Sequence, residues 1–196
     1  MLHTSGGPPL SQKQGTAIIA QPNPTMRSRR RKAMVLALGN PLRGDDGIGS
    51  ALLERLRQHL SSDEIIFRDG GLLGLDLILM AQEFDRVIIL DAVEMGAPPG
   101  CWVRIPIEDL SPKQIEDVHF TSCHIYGLQD AIALARALEL DLRSIVLYGI
   151  QIKGTDLCAP LSREVNAAME AVYQALLREL LFCAPESIQD TPCVEE

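Results

Sequence analysis

Asp45 and Asp46 stand side by side in GNPLRGDDGIGSALLERL (residues 39–56), where an apolar run passes through a glycine-rich turn into a segment of helical periodicity. Such a turn commonly cradles a phosphate, because backbone N–H groups and the positive helix end face an anion. Two adjacent carboxylates would repel a phosphate and favour a cation. A third acid, Asp91, directly follows the apolar run VIIL, where a buried strand surfaces. Carboxylates gathered in one crevice repel each other unless positive charge lies between them, and a divalent cation meets that need. Four histidines offer a further ligand: His3 near the N-terminus, His59 on the polar side of a helical pattern, and His119 and His124 flanking FTSC. His124 enters the helix after the fourth strand. Two aspartates and a histidine suit zinc, nickel or manganese and do not choose among them. Each residue also has a plainer role: Asp45 and Asp46 as cap or dipole partners of the helix, Asp91 as a turn cap, His124 as a hydrogen-bonded loop histidine.

These residues converge only if the elements around them do. AMVLALG and RVIILDAV are apolar runs suited to strands covered on both faces, and EIIFRDGG reads as another strand. DGIGSALLERLRQHL places Ile48, Leu52, Leu53, Leu56 and Leu60 at helical spacing, and GLDLILMAQEF is a second helix. EMGAPPG is too short for a parallel crossover, which takes about a dozen residues, so the fourth strand, CWVRIPI, turns back antiparallel. SCHIYGLQDAIALARALEL is a helix opened near Ser122, SIVLYGIQI a fifth strand, and residues from about Ser162 to Phe182 a terminal helix. With strands 1 and 3 adjacent and strand 2 outside strand 1, Asp46 and the Asp91 that ends strand 3 share the crevice at the strands' carboxyl ends, where open α/β sheets bind ligands.

Composition bounds the rest. The 196 residues, 46% hydrophobic, suffice for one domain with a real core. Residues 33–183 are assigned to a single α/β catalytic domain. Residues 1–32, with Lys13, Arg27, Arg29, Arg30, Arg31 and Lys32 and no acid, are expected to be a disordered basic tail, and 184–196 a flexible one. Met26 and Met34 are alternative starts. Beyond the basic segment 12 basic groups face 26 acidic ones, a balance of −14 that disfavours nucleic acid and anionic membranes. Five cysteines without a C-x-x-C pair fit a reducing compartment, hence a cytoplasmic location. No apolar stretch reaches the roughly 18 residues of a membrane span, and SRRRKAMVLALGN is too short in its apolar part for an export signal.

The joint pattern of GNPLRGDDGIG, DGG, IILDAVEMGAPPG, SCHIYGL and LYGIQ, in this order from about Met34 to the terminal helix, resembles the nickel-iron hydrogenase maturation endopeptidases. The resemblance implies a three-layer α/β/α sandwich on a five-stranded mixed sheet. It also implies a protease that removes a C-terminal extension from the hydrogenase large-subunit precursor once nickel has been inserted. The metal ligands it implies fall on Asp46, Asp91 and His124, with nickel supplied by the substrate and the isolated protein metal-free. Asp45 becomes a support of the turn. Gly39, Gly44 and Gly47 allow unusual backbone angles, and Gly39, Asn40, Asp69, Gly70 and Gly71 are candidate substrate contacts, with turn stabilisation the preferred role for Asp69. No separate general base is identified. The N-terminal extension departs from relatives that begin almost at the first strand.

Other readings compete. A phosphoacceptor receiver domain also has an acidic pair near strand 1, an acid ending strand 3 and a lysine after strand 5, matched here by Lys153, but it requires a helix between strands 3 and 4. Cys123 beside His124 suggests a thiol hydrolase, although chain neighbours seldom point at each other. A non-catalytic precursor-binding protein would share every surface feature and differ only in turnover.

Overall fold

The computed structural model describes residues 33–71, 76–111, 119–120 and 128–182. Both terminal tails, Cys123 and His124 lie outside the described residues. Five main strands, β1 (Ala33–Leu38), β2 (Ile65–Gly71), β3 (Val87–Glu94), β4 (Trp102–Pro106) and β6 (Ile145–Gln151), form one sheet in the order β2-β1-β3-β6-β4. The two-residue β5 (His119–Phe120) adds to β3. β2, β1, β3 and β6 are parallel, and β4 runs antiparallel to β6. The sheet is therefore mixed as expected, but the short link after β3 does not close a hairpin. β6 lies between β3 and β4.

Strand alternation sorts the apolar residues into two cores. Met34, Leu36 and Leu38 of β1, with Val87 and Ile89 of β3, pack against α2 (Asp76–Ala81) and α3 (Leu128–Ala137). Val35, Ala37, Ile88 and Leu90 face the opposite layer, α1 (Ile48–His59) and α4 (Arg163–Phe182). Both faces are covered, which is why these strands read as unbroken apolar runs, and the architecture is the expected three-layer sandwich.

A polar cluster ties α4 to this sheet. Arg104 of β4 grips Glu179 with Nε and Nη2 at 2.8 and 2.7 Å, and the Tyr148 hydroxyl donates to the same carboxylate. Burial alone would raise the Glu179 pKa, but hydrogen bonds from Arg104 and Tyr148 and the charges of Arg104 and Arg86 hold it below the usual carboxylate range. Burial, reinforced by the neighbouring Glu179 charge, pushes the Tyr148 phenol far up.

Candidate active site

The turn after β1 is built by its own side chains. Asn40 donates its backbone N–H to Asp46 Oδ2 at 2.9 Å, and its side-chain oxygen accepts the N–H of Leu42 at 2.9 Å, an Asx turn. Gly39 sits at φ +100°, and a Cβ there would lie 2.2 Å from the Asp46 carbonyl oxygen and 3.0 Å from its Oδ1. Only glycine lets the Asp46 carboxylate close onto the end of β1. Gly44 also takes a positive φ, +52°. Gly47 departs from expectation: its φ is −81°, and its constraint is space, since a Cβ would meet Pro41 Cα at 3.0 Å. Residues Gly44–Gly47 form a 3-10 turn that leads into α1, so Asp46 precedes the α-helix proper.

Asp45 and Asp46 are both buried but serve different partners. Asp45 turns away from its own helix: its carboxylate accepts the N–H groups of Lys153 at 2.9 Å, Gly154 at 3.3 Å and Ser162 at 2.6 Å. It clamps the segment between β6 and α4 against the turn, which is the supporting role expected, reached through distant backbone rather than a local cap. Asp46, only 3% exposed, stays at the carboxyl end of β1.

Asp91, fully buried, lies in β3 beside that turn. It does not end the strand as expected, because β3 continues to Glu94, its last two residues pairing with β5. β1 pairs β3 only as far as Ala37↔Leu90, so Asp91 stands one residue beyond the last β1–β3 pair, opposite Gly149 of β6. Gly49 fixes the juxtaposition. A Cβ on it would lie 2.8 Å from the Leu38 carbonyl and 2.9 Å from the Leu90 carbonyl, so the first turn of α1 rests directly on the end of β1 and the middle of β3. Asp46 is three residues before that contact and Asp91 one residue after it. By strand alternation Asp91 shares its sheet face with Val87 and Ile89, the face that α3 covers. His124, four residues before α3, is outside the described residues, and those residues contain no cluster of three potential ligands.

Asp69, Gly70 and Gly71 belong to β2 rather than to a turn, Asp69 pairing with Ala37 and Gly71 with Leu38. Asp69 is exposed and accepts a hydrogen bond from Ser50 of α1 at 3.3 Å, so the turn-stabilising role gives way to a strand-to-helix tie at the same end of the sheet. A Cβ on Gly70 would lie 2.7 Å from Leu36 Cδ1. Lys153 offers no receiver-like cation: its Nζ pairs with Glu164 at 2.7 Å. Residues 95–101 contain turns and no helix, so the receiver reading fails. Sequence reasoning passed over Gln151, whose side-chain oxygen accepts the N–H groups of Met95 at 2.8 Å and Ala97 at 3.3 Å and so orders the link leaving β3. The amide closing the LYGIQ run was the only available signal.

With this geometry in hand, comparison with known proteins is decisive. The family model for hydrogenase maturation proteases, HycI, matches residues 51–179. The chain belongs to the hydrogenase maturation protease family. This maturation protease is 31% identical to the hydrogenase expression/formation protein HupM of Azotobacter chroococcum mcd 1 over 81% of its own length and 75% of that protein. It is 33% identical to HupD of Thiocapsa roseopersicina over 60% of its length, a match spanning 53% of HupD. Among solved structures, the endopeptidase HycI from Escherichia coli superposes with a TM-score of 0.58 at 27% identity, covering 76% of this chain and 91% of that one. The protease's described residues include no helix long and apolar enough to cross a membrane.

Proposed function

We propose that this protease removes a C-terminal extension from the precursor of a nickel-iron hydrogenase large subunit after nickel insertion, with Asp46, Asp91 and His124 engaging the nickel that the precursor carries. The single observation behind this reading is the burial of two carboxylates, Asp46 in the turn after β1 and Asp91 within the adjacent parallel strand β3. A hard, anionic oxygen pair supplemented by one imidazole is a donor set that a divalent transition metal accepts.

Within this reading the chain's own residues position and exclude. Gly39 and Asn40 hold the Asp46 carboxylate at the end of β1, and the Asp45 clamp keeps the turn from yielding when a substrate binds. Gly49 holds the turn that carries Asp46 on the strand that carries Asp91. Nickel bound in the precursor supplies a Lewis acid able to polarise the scissile carbonyl and to activate water. Because the ion comes with the substrate, an unfinished large subunit lacks part of the site, which restricts cutting to loaded precursor. The protease acts in this reading as a cytoplasmic enzyme.

The test is incubation of the full chain with nickel-loaded and with nickel-free precursor, followed by mass spectrometry of the large subunit. Loss of the extension from the loaded form alone is the expected result. Equal cleavage of both forms would remove nickel from the reading, and binding without cleavage would leave a non-catalytic precursor-binding protein.

A further inference from the structure

Leu42 and Leu157 are 62% and 73% exposed, although the backbone beneath them is tightly fastened. The N–H of Cys158 donates to the Leu42 carbonyl at 2.7 Å, Arg43 Nε to the Thr155 carbonyl at 3.4 Å, and the N–H of Asp45 to the Gly154 carbonyl at 3.1 Å. The two leucines are therefore carried on a pair of loops locked together, on which Pro41, Cys158 and Pro160 are also exposed. Large apolar side chains held in water on an ordered scaffold mark an interaction surface more readily than scattered ones do. This pair is also wired to the candidate site. Asn40 holds Leu42 through its side chain and Asp46 through its backbone N–H, and the Asp45 carboxylate anchors Lys153 and Gly154, which lead to Leu157.

We propose that Leu42 and Leu157 form an apolar docking rim for the folded precursor, receiving an aliphatic or aromatic side chain near the segment to be cut. The inference rests on the proposed function, since a protein whose bond is presented at Asp46 approaches a turn of which Leu42 is part. Seating an apolar residue here orders the substrate relative to Asp46 through Asn40 without contributing to the chemistry.

The experiment is steady-state cleavage of nickel-loaded precursor by the full-length wild type, Leu42→Ser, Leu157→Ser and the double variant, with melting and sedimentation of each. Removing a buried leucine contact costs roughly tenfold in affinity. KM should therefore rise about tenfold for each single substitution and further for the double, with kcat within about twofold and the melting temperature unchanged. An unchanged KM in a wild type and double variant that both cleave overturns the docking rim alone. A fall in kcat at constant KM, or a wild-type dimer that the double variant dissolves, also overturns it, the latter assigning the rim to a second copy of the chain. A wild type that cleaves no precursor removes the proposed function and this inference with it.

Discussion

The carboxylate of Asp45 accepts the backbone N–H of Ser162 at 2.6 Å, across 117 positions of chain. Ser162 is the residue before α4, and its hydroxyl in turn takes the N–H of Val165 at 3.4 Å, so one aspartate joins the entrance of the first helix to the entrance of the last. The adjacent Asp46 faces the end of β1. Neighbouring carboxylates thus divide the work, one fastening distant backbone and the other closing the turn onto the end of β1.

Asp45→Ala is expected to lower unfolding free energy by about 2–4 kcal/mol, because three part-buried N–H bonds lose their buried charged acceptor at once. Asp45→Asn, which keeps one acceptor oxygen, should cost less, with its main effect on stability rather than on turnover. Urea denaturation of the three proteins checks the order, and equal midpoints would contradict the clamp.

Asp46→Asn, Asp91→Asn and His124→Ala should each reduce precursor processing by about 100-fold or more, since even changes behind a metal ligand typically cost 10–100-fold. Circular dichroism should show the fold retained in each case. Wild-type processing by the His124 variant would remove that residue from the site.

Gly49→Ala should destabilise the protein by about 1–3 kcal/mol, because the added methyl meets two backbone carbonyls below 3.0 Å and neither strand can retreat far. Processing should fall with it, as the turn bearing Asp46 shifts relative to Asp91. A compensated melting curve with unchanged processing would show that α1 does not set this spacing.

Glu179 gives the stability a defined acid limb. Its folded pKa is depressed below its ordinary 4.5, despite burial, by hydrogen bonds from Arg104 and Tyr148 and by the nearby guanidinium charges. The carboxylate therefore contributes fully above pH ~4.5 and loses its contribution as pH falls through the folded value, where the native state must take up the proton. The stability difference between wild type and Glu179→Gln should shrink from pH 6 to pH 3. A constant difference across that range would assign Glu179 a packing role alone.

Much of this was legible because it is local. Apolar runs covered on both faces announce themselves as β1, β3 and β6, and the brevity of EMGAPPG excluded a parallel crossover whatever the rest of the chain did. Gly39 followed by Asn40 and two acids announced a built turn. The contents of that turn were less readable, because hydrogen-bond partners are chosen in three dimensions: nothing in DD tells which aspartate looks toward β1 and which toward residues 153–162. The position of β4 was hidden for the same reason, since a strand's direction follows from its link but its neighbour depends on which open edge it reaches first.

The order of residues by itself determined the alternation of strands and helices, the acidic pair in the turn after β1 and the family motifs, because periodicity and spacing act over a few residues. Tertiary packing alone decided which distant backbone Asp45 would hold, that β6 would come between β3 and β4, that Gln151 would order the link after β3, and that the loops bearing Leu42 and Leu157 would be fastened together. Each of these depends on groups many tens of residues apart meeting within about 3 Å, a distance that hydrogen bonding requires and that no one-dimensional pattern specifies.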